Sequence, residues 1–140
     1  MLFRSAKELG NDLYQIENVP FFAYGLNYLD IVKAIPESHD LKPEIQEVVK
    51  QSGHKTIRVI FNKTVEREQQ AKLLDTLEKF NATYERADAI NVAIDIKAEG
   101  NYNAVYDQLE KFIKKDYLSF ETCETRIEGS FDDIPEEEQA

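Results

Sequence analysis

The chain has 140 residues, a single cysteine and a formal net charge of −10. That length suits one domain, or two small lobes sharing a core, and an apolar content of 42 % argues against a disordered chain. Cys123 alone cannot form an intramolecular disulfide, which fits a reducing compartment. The acidic balance disfavours a nucleic-acid binder, which needs a basic stripe. The charge is uneven: residues 129–140 carry five acidic and no basic side chains, so half of the net charge lies there.

In chain order, Met1-Leu2-Phe3-Arg4 leads into polar residues, and no apolar run reaches the length of a signal peptide or a membrane span. A soluble cytoplasmic protein is the expectation. Gly10-Asn11 marks a turn, and residues 12–18 read as a strand built on Leu13, Tyr14 and Ile16. Pro20 removes a backbone donor and ends pairing. Residues 29–35 and 45–51 read as two further strands, with Pro36 and Pro43 bracketing the loop between them. Residues 1–55 therefore read as a β-rich lobe, an antiparallel meander or small partial barrel. Phe21, Phe22, Tyr24, Leu26 and Tyr28 would pack it onto the C-terminal lobe.

Residues 56–128 read as β-α-β-β-α-β. Ile57, Val59 and Phe61 alternate as a strand. Thr64 offers an N-cap to a helix over 66–80, whose buried stripe is Leu73, Leu74, Leu77 and Phe80 and whose stop is Asn81. Residues 83–87 form a short strand with Tyr84 inward, and Asp88-Ala89 is a hairpin turn. Ile90, Val92, Ile94 and Ile96 give the clearest alternation in the chain. Tyr102, Val105, Tyr106, Leu109, Phe112 and Ile113 repeat at helical spacing, and a last strand starts at Ser119. The order predicts an α+β protein in which the first lobe packs on a ferredoxin-like plait. Residues 129–140 lack apolar periodicity and read as an acidic disordered tail.

Ser52, His54 and Arg58 are the best candidates for chemistry. Gly53 frees the backbone between the first two, and Arg58 could fork onto a carboxylate or phosphate. The ordinary reading is stronger: a Ser-Gly turn, a strand start and an Arg paired with an acid. His39 and His54 are the only histidines and sit on different loops, whereas zinc needs three or four convergent ligands. No metal or other cofactor is expected, and no catalytic residue is assigned. Asp30 and Asp95 stand out among the carboxylates because both lie on strands, with Asp95 expected on the solvent side of its sheet.

The runs Leu13-Tyr14-Gln15-Ile16-Glu17-Asn18-Val19-Pro20-Phe21-Phe22, Tyr28-Leu29-Asp30-Ile31-Val32 and Ser52-Gly53-His54-Lys55-Thr56-Ile57-Arg58-Val59 resemble the motifs of an uncharacterised bacterial family of unknown function. That resemblance implies a small cytosolic protein and carries no activity with it. Size and acidity give the functional expectation: an acidic inhibitor, such as an immunity protein, that neutralises a basic, nuclease-like toxin. Its expected contacts are Glu85, Asp88, Asp95, Glu121 and Glu124. The alternative is a small-molecule or regulatory module with a pocket between the lobes, near Phe21, Phe22, Ser52, His54 and Arg58. A hydrolase using Ser52 and His54 is the third reading. Monomer or weak dimer is the expected state, since an exposed edge strand would permit pairing.

Overall fold

The computed structural model describes residues 6–20, 25–36 and 44–122. These residues form a mixed α+β structure, and among them are two four-stranded antiparallel sheets and two α-helices. Phe21, Phe22, Tyr24, His39, Cys123, Glu124 and the acidic segment 129–140 lie outside the described residues.

The first sheet is a meander in the order β1 (Ala6–Gly10), β2 (Leu13–Ile16), β3 (Ile31–Ile35) and β4 (Glu44–Lys50). The β1–β2 turn places Gly10, Asn11 and Asp12 at positive φ, which Gly, Asn and Asp tolerate best. β1 was not legible in the sequence. Its residues Ala-Lys-Glu-Leu-Gly are mostly exposed and show no apolar alternation. Tyr14 lies opposite Val32, and Val32 opposite Val48, so one face collects apolar side chains. Ile16, Val32, Ala34, Ile45 and Leu26 form its core. β1 and β4 are the two edges of this sheet, so it is an open meander and not a closed barrel.

The second sheet has the order β6-β7-β5-β8, from β5 (Lys55–Phe61), β6 (Ala82–Arg86), β7 (Asn91–Ile96) and β8 (Leu118–Thr122). Helix α1 (Arg67–Asp75) with a 3-10 turn at Glu78–Phe80 joins β5 to β6, and α2 (Tyr102–Lys114) joins β7 to β8. Ile57, Val59 and Phe61 line one face of β5, and Val92, Ile94 and Ile96 the same face of β7. They pack against Leu74, Leu77, Val105, Leu109 and Phe112. Apolar burial of this kind is the main stabilising term.

Local chemistry sets the element ends. Asn101 caps α2 by accepting the Ala104 amide at 3.0 Å. Thr64 does not cap α1, contrary to expectation. Its amide and hydroxyl both bond to Asn62 Oδ1 at 3.1 Å, and the helix starts at Arg67. The expected single helix over 66–80 also breaks. The Thr76 hydroxyl donates to the Leu73 carbonyl at 2.6 Å, and the chain tightens to a 3-10 turn before Asn81 stops it at φ 59°. Tyr84 points to the helix side of β6 but remains 37 % exposed, because β6 is an edge strand.

Candidate functional site

The face of the second sheet opposite the helices carries Thr56, Arg58 and Ile60 on β5 and Asn91, Ala93 and Asp95 on β7. Its two ends differ. At the Thr56 end, loops of the first sheet bind across it. At the Ile60 end it forms a groove.

The joint at the Thr56 end starts with a turn over residues 27–30, in which the Asp30 amide bonds the Asn27 carbonyl at 3.1 Å. The Asp30 carboxylate accepts the Asn27 and Ser52 amides, each at 2.9 Å. The Ser52 hydroxyl donates to the Tyr28 carbonyl at 2.6 Å and accepts the His54 amide at 3.1 Å. Gly53, between them, has φ +91°, and a Cβ there would stand 2.9 Å from Ala98 Cβ. This is why the loop contains Ser-Gly-His: the hydroxyl closes the turn and the glycine allows close approach. His54 Nδ1 lies 2.9 Å from both carboxylate oxygens of Asp95, and the Tyr28 ring packs edge-on against the imidazole. Thr56 Oγ1 donates to Asn27 Oδ1 at 2.9 Å. Farther along, the Val19 amide donates to Glu85, and Val19 buries itself against Ala93.

Asp95 is therefore only 3 % exposed, and the solvent-facing position expected for it is wrong. The sheet face is open in isolation, but loops of the first sheet cover this end. Burial pushes the Asp95 carboxyl above its ordinary value of 3.8, against the hydrogen bond and charge of His54. Burial likewise raises Asp30, against the amide bonds from Ser52 and Asn27. Ser52 reaches His54 through the backbone amide, while the imidazole turns to Asp95. The nucleophile–base contact that a hydrolase reading requires is thus not the bond these two residues make.

At the other end, Arg58 Nε pairs with Glu121 at 3.0 Å, and Ile60 is 50 % exposed. These residues, with Asp88, Asn91 and Ser119, line a groove of about 430 Å³. Asp88 is fixed at its rim. Its carboxylate accepts the Ile90 and Asn91 amides at 2.9 and 2.8 Å and the Asn91 side-chain amide, and these bonds hold it below its ordinary pKa.

The structure thus divides the sequence-predicted residues. Asp88 and Glu121 flank the groove, whereas Asp95 and Glu85 belong to the joint. Ser52 and His54 also lie in the joint, and Arg58 belongs to the groove wall. Asn27 and Thr56 were missed, and Tyr28 was expected only as a packing aromatic. Their polar side chains and carbonyls resemble ordinary turn and strand residues, and only their pairing across the joint marks them. Among the described residues no cluster of three His, Cys, Asp or Glu side chains could hold a metal ion, and no helix is long and apolar enough to cross a membrane.

A hypothetical protein from Neisseria gonorrhoeae of known crystal structure is similar in fold. It matches with a TM-score of 0.73 and 17 % sequence identity, over 88 % of this chain and 82 % of that one. No curated protein matches the chain. A family model described as a domain of unknown function, DUF4265, matches residues 5–120, and the chain belongs to that family.

Proposed function

We propose that this protein is an acidic binding protein, an inhibitor of the immunity type that neutralises a basic, nuclease-like toxin domain in the cytoplasm. The observation that carries this reading is the groove beside Arg58. A half-exposed Ile60 forms an apolar contact point, and the carboxylates of Asp88 and Glu121 flank it. Protein interfaces combine an apolar centre with a polar rim. The net charge of −10 favours steered association with a basic partner. The second sheet and its helices are read here as a ferredoxin-like plait. The strand order β6-β7-β5-β8 and the β-α-β-β-α-β sequence of elements support that reading, but the plait hosts many functions and adds none of its own.

The groove volume supports a second reading. About 430 Å³ falls within the roughly 300–1,000 Å³ of small-molecule sites. A ligand pocket at the joint has less support, because the Ser52 hydroxyl and the His54 ring are engaged in bonds that hold the two sheets together.

The test is functional. The basic protein retained by this chain from lysate of its source bacterium is purified and assayed for nuclease activity. Loss of that activity on adding one equivalent of this chain supports the inhibitor reading. A retained protein whose activity is unchanged counts against it.

A further inference from the structure

Three titratable side chains meet where the two sheets join. Asp30 leads into β3, His54 leads into β5, and Asp95 lies on β7. Asp30 and Asp95 are both buried. The His54 and Asp95 side chains are 14 % and 5 % exposed. The backbone donors that hold the joint lie beside this cluster: the Asn27 and Ser52 amides bond the Asp30 carboxylate, and the His54 amide bonds the Ser52 hydroxyl.

We propose that Asp30, His54 and Asp95 form a proton-operated latch, in which the charge of this cluster sets how tightly the first sheet is held on the second.

His54 is the one cation the cluster itself can supply, against two carboxylates. Of the other charged groups acting on Asp95, Lys97 just beyond β7 favours its ionised form and Glu85 on β6 opposes it. Tyr28 packs on the imidazole and carries no charge to offset either acid. For both aspartates, burial outweighs the hydrogen bonds that favour the ionised form, so the folded joint binds protons more tightly than the unfolded chain. The contribution of each aspartate is therefore fully present below 3.8 and is lost as pH rises through the raised folded value. Rising pH accumulates net negative charge in a desolvated joint, where it is least screened. Local opening of the joint, with the apolar cores intact, relieves that charge.

The test is site-resolved amide exchange of the full chain between pH 4 and 8, corrected for intrinsic exchange. The joint amides Asn27, Ser52 and His54 are compared with the sheet amides Val59 and Val92. Protection at the joint should fall severalfold relative to the sheet as pH rises through the raised aspartate values. Asp95→Asn should make that fall shallower. His54→Gln keeps a donor for Asp95 but cannot take a charge, so it should move the fall to higher pH. Sheet amides report whether each variant is folded, and if one fails to fold, the other decides. A joint-to-sheet protection ratio that stays constant with pH would overturn the latch. So would folded variants that fall as the wild type does.

Discussion

The Asp30 carboxylate accepts the Ser52 amide at 2.9 Å, across a sequence separation of 22 residues. Through that bond one side chain fixes both the turn entering β3 and the link entering β5, because its other oxygen holds the Asn27 amide. Asp30→Ala leaves both donors without their acceptor in a buried setting. Unfolding in urea should show a loss of about 2–4 kcal/mol, since a buried donor left unsatisfied costs roughly 1–3 kcal/mol. A loss below about 0.5 kcal/mol would mean that water replaces the carboxylate.

Asp30→Asn keeps the shape and removes the titration. In the wild type the protonation-linked stability from Asp30 is present below 3.8 and declines as pH rises. The stability of the wild type minus that of Asp30→Asn should therefore be largest near pH 4 and fall toward pH 7, since the amide stays in the uncharged form that the wild type loses. Urea midpoints at the two pH values check the sign, and a signed difference that rises with pH contradicts it.

Gly53 and Gly10 separate two costs. Both have φ near +90°, but a Cβ at Gly53 meets Ala98 Cβ at 2.9 Å, whereas at Gly10 nothing lies within 4 Å. Each Gly→Ala change incurs backbone strain of about 1–3 kcal/mol. Gly53→Ala should cost more by the added clash, and thermal unfolding of the two variants should order them that way.

Asn101→Ala removes the side-chain oxygen that accepts the Ala104 amide at the start of α2. The expected loss is about 1 kcal/mol. Asn101→Ser should recover most of it, which distinguishes a cap from a packing role.

The sequence was legible where one face of an element is apolar and its period is clean. Ile57, Val59 and Phe61, the run from Val92 to Ile96, and Val105, Leu109 and Phe112 all take the buried positions their spacing requires. It was less legible where long-range contacts decide. β1 forms by pairing with β2, and its own residues carry no pattern. Asp95 alternates as a solvent-facing residue would, and it is buried by His54 and the loops that cover this end of the face. Ser52 and His54 have the residue types of a reactive pair, yet their spacing around Gly53 serves a turn. Asp88 and Glu121 lie 33 positions apart, and the pairing of β5 with both β7 and β8 brings the turn that carries Asp88 and the strand that carries Glu121 beside Ile60.

Calorimetric titration of the captured basic partner with three forms of the chain puts the proposed binding surface to the sharpest test. The forms are the wild type, an Ile60→Ser/Glu121→Gln double variant, and Glu110→Lys, which alters an exposed position on α2 away from the groove. Wild type and Glu110→Lys should bind tightly and in a salt-sensitive way. The groove variant should bind at least about a hundredfold more weakly, as expected when an interface anchor is removed. Equal affinity for the groove variant and the wild type would contradict a binding surface centred on Ile60.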